Sequence, residues 1–143
     1  MTARILFVCT GNSARSQMAE GLARRLAARG VEVASAGTHP AGIHPLAIEA
    51  MRELGIDISG QNSKRIEDVP GEFDYVITLC DSAAESCSAL PAWRERLHWS
   101  LPDPAGVGGD EAERRRIFRQ VRDDIERRLL EWLGQLGLLG EAQ

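Results

Sequence analysis

The residue set with the clearest chemistry is Cys9-Thr10-Gly11-Asn12-Ser13-Ala14-Arg15-Ser16, set between a short apolar run and an amphipathic stretch. A cysteine, five residues, then arginine and a hydroxyl residue form a loop short enough for its backbone N–H groups to converge on one anion. A helix starting at its end adds free amide donors and a positive dipole end. Gly11 permits a turn that other residues resist. Arg15 offers a planar fork of donors able to grip two oxygens of a tetrahedral oxyanion. The same field favours the thiolate of Cys9, the nucleophilic form, and Ser16 can hydrogen-bond that sulfur and assist its later departure. The alternative is a buried structural cysteine with an arginine nearby by chance. The strand–loop–helix setting argues against it.

Two more cysteines follow in Thr78-Leu79-Cys80-Asp81-Ser82-Ala83-Ala84-Glu85-Ser86-Cys87. Strand carboxyl ends in an open parallel sheet share one edge, where ligands bind. Cys80, at the end of an apolar strand, therefore belongs on the rim that carries Cys9. If the segment between Cys80 and Cys87 is helical, their sulfurs stand ~10 Å apart, whereas a disulfide needs Cα atoms within ~7 Å. A bond between them requires this small, polar segment to unwind or loop. Cys80 read alone is equally a small hydrophobe at a strand end; Cys87, in polar surroundings, is harder to place in a core.

The elements that must position these groups follow from periodicity. Ile5-Leu6-Phe7-Val8 reads as a buried strand, and residues 16 to 29 as a helix with Met18, Leu22 and Leu26 on one face, ended by Gly30. Residues 31 to 36 alternate as a second strand. Pro45 to Leu54 forms a helix with Ile48, Met51 and Leu54 inward. Residues 74 to 79 form a third strand and 96 to 99 a fourth. A last helix, about Glu111 to Leu133, carries Ile117, Val121, Ile125, Leu129 and Trp132 on one face. Alternating strands and helices predict one α/β domain with a parallel sheet over residues 1–133. The Leu- and Gly-rich tail, 134–143, is compatible with loose packing, docking on the body or contact with another subunit.

Composition narrows the function classes. The 143 residues, 43% hydrophobic, suffice for one packed core. The net charge of −4 argues against a general nucleic-acid binder. Of the 17 basic residues only Lys64 is a lysine. No apolar run approaches the ~20 residues of a membrane span, and the apolar strand begins without a signal-peptide layout, so a cytoplasmic location is expected. Three cysteines in that reducing compartment are not a structural disulfide framework.

With these motifs in hand, the loop and the Ser16-Gln17-Met18-Ala19-Glu20 after it resemble the low-molecular-weight tyrosine phosphatase superfamily, and within it the thioredoxin-coupled arsenate reductases. The resemblance extends through Arg128: Ser35-Ala36-Gly37, the run from Thr78 to Cys87, His98-Trp99 and Asp103-Pro104 fall in register. It implies a four-stranded parallel sheet flanked by helices, with the anion loop at the strands' carboxyl end. It also implies a reaction. Cys9 attacks arsenate, Cys80 attacks the Cys9 sulfur as arsenite leaves, and Cys87 attacks Cys80, releasing Cys9 and moving the disulfide outward to Cys80–Cys87. Thioredoxin then reduces it, with NADPH and thioredoxin reductase upstream and no bound cofactor. Phosphate and sulfate would compete for the loop, no nucleic acid or membrane is involved, and a monomer is expected.

Asp103 lies in Leu101-Pro102-Asp103-Pro104, where relatives place a carboxylic acid that protonates the leaving group. Here it would assist oxygen departure from arsenate; ordinary Asp-Pro turn chemistry is the alternative. Two departures count against a tyrosine phosphatase: Ala105 where those enzymes carry a tyrosine, and Gln17 where they carry a proline. Ala14 replaces a frequent cysteine without touching the relay. Some arsenate reductases of this kind hold a potassium ion near the loop. The matching positions are Asn12, Glu20, Ser35 and Lys64, the last acidic in cation-binding members. The expectation is that no metal binds and that Lys64 takes the ion's place, pairing with Glu20 and stiffening the loop through Asn12, against an exposed lysine as the alternative. His39, His44 and His98 are given no chemistry. The rival functions are a phosphatase using Cys9, Arg15 and Asp103, and a three-thiolate metal or arsenite sensor; the spacing lacks the C-x₂-C pairs the last would favour.

Overall fold

The computed structural model describes residues 3–79, 92–106 and 108–140. Four strands, β1 (Ala3–Cys9), β2 (Val31–Gly37), β3 (Phe73–Thr78) and β4 (Ala92–His98), form one parallel sheet in the order β2-β1-β3-β4. The register aligns Cys9 with Gly37, Val8 with Thr78, and Thr78 with His98, so the carboxyl ends share an edge. β1 is central. Its Ile5, Leu6, Phe7 and Val8 are all buried, which is why the strand reads as a continuous apolar run rather than an alternation. Each such side chain contributes about 1.5–3 kcal/mol. β2 pairs on one side of β1 and β3 on the other, so the strand order reverses at β1 and leaves a crevice beyond its end.

The described helices are α1 (Arg15–Leu26), α2 (Pro45–Arg52) and α3 (Glu111–Leu136). α1 packs on β2 and α3, and α2 packs on both helices. Among the described residues no helix is long and apolar enough to cross a membrane. α1 stops three residues short of the expected Arg29, and the tail explains why. Gly137 adopts φ +70° at the end of α3, with its N–H on Gly134 and Leu133 carbonyls. Leu138 then turns into the core, Ala28 donates to its carbonyl at 2.7 Å, and Gly140 donates to Leu26 at 2.7 Å. Ala27 is thereby drawn out of the helix into an extended bridge with Leu139. Of the open alternatives for residues 134–140, docking on the body is the one observed.

The inward face of α3 is Phe118, Val121, Arg122, Ile125, Leu129, Trp132 and Leu133. Ile117 is only half-buried, and Phe118 takes the place expected of it. α2 ends at Arg52 rather than the expected Leu54; in it the small residues Ala47 and Ala50 are buried with Met51, while Ile48, and Leu54 beyond its end, pack at the margin. β4 starts four residues earlier than expected.

Candidate active site: an anion loop held from behind

α2 and α3 are capped by their own side chains: His44 Nδ1 accepts from Leu46 N–H, and Asp110 accepts from Glu113 N–H. α1 has no such cap. Its first residue, Arg15, follows Ala14, whose side chain can accept nothing. The first-turn amides of α1 are therefore left without a local side-chain acceptor, at the place where the loop closes.

The loop carbonyls are all occupied. His39 N–H donates to Thr10 at 2.8 Å, Ala41 N–H to Gly11 at 2.9 Å, Gln17 Nε2 to Asn12 at 3.1 Å, His44 N–H to Ser13 at 3.0 Å and Met18 N–H to Ala14 at 2.9 Å. Ser63 Oγ also donates to the Gly11 carbonyl. Across a trans peptide the carbonyl and the next N–H point opposite ways. Tying these carbonyls to the surrounding protein turns the N–H groups of Gly11 to Arg15 toward the loop's centre. That is the geometry an oxyanion requires.

Cys9 sits at the base, buried, with its Sγ 2.8 Å from Ser16 Oγ. A network of directed hydrogen bonds stands behind it. The Glu20 carboxylate can only accept, so Ser35 Oγ donates to its Oε1 at 2.6 Å. Asn12 Nδ2 then donates to Ser35 Oγ at 3.0 Å and to Ser16 Oγ at 2.8 Å. Its Oδ1 accepts from Lys64 N–H at 2.9 Å and Gln17 Nε2 at 3.0 Å, which fixes the amide's orientation. Ser16 Oγ thus accepts from Asn12, and toward a Cys9 thiolate, which can only accept, it donates its single proton. Asn12 itself holds φ +44°, a left-handed conformation made tolerable by this saturation.

Arg15 is buried, with one guanidinium nitrogen donating to Leu101 O at 3.0 Å and the other 3.9 Å from Asp103 Oδ1. Leu101 N–H in turn reaches Leu79 O, so loop, strand end and the 101–103 segment are joined. The Asp103 carboxylate is half-exposed; its Oδ1 also accepts from Ala105 N–H, so turn chemistry and nearness to Arg15 coexist. Ser16, Ser35, Glu20 and Asn12 all gather beneath the loop. Lys64 meets them twice, through its backbone N–H on Asn12 and through Nζ, 3.9 Å from Glu20 Oε1. The Asn12 contact belongs to the backbone, not to the ammonium.

Cys80 and Cys87 lie outside the described residues. The residue before Cys80 does not: Leu79 N–H donates to Val8 O at 2.8 Å. The residues that immediately precede Cys9 and Cys80 are therefore hydrogen-bonded neighbours at adjacent strand ends.

Sequence reasoning missed Gln17 and Gly37 as site residues. Gln17 is fully buried, donates also to Asn62 O, and accepts from Gln61 Nε2 at 2.7 Å. A Cβ added at Gly37 would lie 2.6 Å from Thr10 O and 2.9 Å from both Asn12 N and Cys9 O, so only glycine lets β2 pass this close. An uncharged amide on the buried face of a first helical turn, and a glycine ending an otherwise regular strand, were the available signals. His44, given no chemistry from sequence, caps α2 and stacks on Phe118 at 4.8 Å. Burial and the nearby Arg114 charge hold its pKa below the usual histidine value. Among the described residues no group of three or more His, Cys, Asp or Glu side chains is arranged to hold a metal.

Residues 4–139 match the low molecular weight phosphotyrosine protein phosphatase family. The arsenate reductase of Halalkalibacterium halodurans is 46% identical over 126 residues, spanning 87% of this chain and 91% of that one. Two solved structures, of an arsenate reductase in oxidized state and of one in the phosphate binding state, superpose with TM-scores of 0.76 and 0.74. They are 37% and 36% identical, each covering 94% of this chain and 98% of theirs.

Proposed function

The chain belongs to the low molecular weight phosphotyrosine protein phosphatase family, and we propose that it is an arsenate reductase whose three cysteines form a relay emptied by thioredoxin. The observation that carries this reading is the Val8–Leu79 hydrogen bond, which sets the residues preceding two cysteines side by side beneath one anion loop. A phosphatase needs the first of those cysteines only. A reductase needs somewhere to put the oxidation.

Arsenate enters the ring of amides from Gly11 to Arg15, with the Arg15 guanidinium on two of its oxygens. The Cys9 thiolate attacks arsenic, and an oxygen leaves as water with a proton from Asp103, giving a Cys9–S–As(V) adduct. Ser16, donating to the sulfur, stabilises the thiolate before attack and again when it is released. The Cys80 thiolate then attacks the Cys9 sulfur. The S–As bond breaks with its electron pair going to arsenic, so As(V) leaves as arsenite and a Cys9–Cys80 disulfide forms. Cys87 attacks Cys80, freeing Cys9 and leaving Cys80–Cys87. A thioredoxin dithiol reduces this last disulfide. Two electrons enter, one arsenate becomes one arsenite, and the enzyme returns to three thiols. Asn12, Glu20, Ser35 and Lys64 support the loop and carry no step. The reducing cytoplasm suits this cycle, and neither a bound cofactor nor a second subunit is required.

Coupled NADPH oxidation with arsenate, thioredoxin and thioredoxin reductase tests the reading. Wild type turns over; Cys9→Ser, Cys80→Ser and Cys87→Ser do not sustain turnover. A Cys87→Ser variant that consumes NADPH at the wild-type rate would remove the relay. p-Nitrophenyl phosphate hydrolysis, if equal in wild type and Cys87→Ser while arsenate goes unreduced, would make the chain a phosphatase instead.

A further inference from the structure

The buried Glu20 carboxylate is the fixed charge behind the anion loop, and it has cations on two sides. Arg24 pairs with Oε2 at 2.8 Å. Lys64 Nζ lies 2.9 Å from Asn62 O and 3.9 Å from Glu20 Oε1, among the oxygens a monovalent cation would seek. The family pattern implies a potassium ion here, and these residues do not fit one. Position 64 brings an ammonium in place of a carboxylate ligand, and that ammonium already stands against Asn62 O and Glu20.

We propose that Lys64, with Arg24, is a tethered replacement for a dissolved cation, so that anion-loop order in this protein is independent of which monovalent salt surrounds it. An uncompensated carboxylate in this position would be costly, because Glu20 is nearly excluded from water. With its charge balanced from within the chain, Glu20 holds the Ser35 proton. Ser35 then accepts from Asn12, and the chain of donors ends on Cys9. Lys64 is thus a positioning residue, one ion pair and four hydrogen bonds removed from the sulfur. The side chains of Glu20, Arg24 and Lys64 border an open cavity of about 730 Å³ that also exposes Gln61 and Asn62, so salt ions can reach the cluster and a comparison of salts is meaningful.

The inference rests on the site being an oxyanion loop, not on arsenate being reduced there. The test is therefore phosphate binding by calorimetry and thermal melting, in potassium, sodium and choline chlorides at equal ionic strength. Wild type keeps its phosphate Kd within about twofold and its Tm within about 1 °C across the three salts. Lys64→Met weakens phosphate by about fivefold or more in every salt, and Lys64→Arg restores most of the loss. Lys64→Asp, which adds an oxygen ligand beside Glu20, becomes potassium-responsive: its Kd tightens and its Tm rises in potassium over choline. A wild-type protein that gains affinity or Tm specifically in potassium overturns the proposal, as does a Lys64→Met protein with unchanged phosphate affinity. A protein that behaves as expected here yet fails to reduce arsenate would refute the reductase reading and leave this inference standing.

Discussion

Two polar networks hold this molecule together, and they work differently. Behind the anion loop, Asn12, Ser16, Gln17, Glu20 and Ser35 are buried, and directed hydrogen bonds run from Glu20 through Ser35 and Asn12 to Ser16, which meets the Cys9 sulfur. Along the α2–α3 seam, Glu53 takes three bonds from Arg119 and one from Arg122, with Arg119 and Glu53 open to solvent. The seam is made of stronger charges, yet water competes for them, and such pairs contribute about 0–1 kcal/mol. The loop network is made mostly of neutral groups, but a buried donor or acceptor left alone costs about 1–3 kcal/mol. Direction and burial, around one charge-balanced carboxylate, are what the loop uses to keep its amides aimed inward.

The largest break in that comparison comes from the gripping group itself. Arg15→Lys keeps the charge but loses the fork, and arsenate kcat/KM falls by about 10³-fold in the coupled assay. Gly37→Ala changes no functional group. It drives a methyl into the Thr10 carbonyl and Asn12 amide, and activity falls by about 10²-fold while the protein remains folded by circular dichroism. Gln17→Met, similar in volume, strands the Asn12 carbonyl and costs about 1–3 kcal/mol in chemical denaturation, with weaker phosphate binding measured by calorimetry.

The smallest effect lies on the seam. The Glu53 carboxyl is held down from 4.5 to about 2, chiefly by the Arg119 hydrogen bond. A depressed carboxyl stabilises the fold above about pH 4.5 and loses that contribution as pH falls toward 2. Glu53→Gln leaves arsenate turnover unchanged and lowers Tm at pH 7 by about 3 °C or less. The gap from wild type closes on acidification. A seam variant that impaired turnover as much as Gln17→Met would end the distinction between the two networks.

The same distinction separates what the sequence disclosed from what it did not. Cys9, Arg15 and Ser16 were legible because the loop's chemistry is local: strand, short turn and helix are consecutive. The sheet was legible because β1 is an unbroken apolar run from Ile5 to Val8 and the helices repeat at 3.6 residues. Gln17 and Gly37 were not, since their partners, Asn62 and the loop backbone, arrive from distant parts of the chain. The end of α1 was missed for the same reason: Leu138 to Gly140 compete for Ala27 and Ala28 from more than a hundred residues away. In α3 the substitution of Phe118 for Ile117 is a shift of one residue in the buried stripe, within what a 3.6 period leaves open.

The central claim is that oxidation passes between sulfurs, and trapping it is the most direct test. Cys87→Ser is mixed with one equivalent of arsenate, without reductant, quenched by alkylation and mapped by peptide mass spectrometry. The account predicts one arsenite released per protein and a bond joining Cys9 to Cys80, while wild type treated alike carries Cys80 bonded to Cys87. Arsenite released with Cys9 and Cys80 both found alkylated would contradict it.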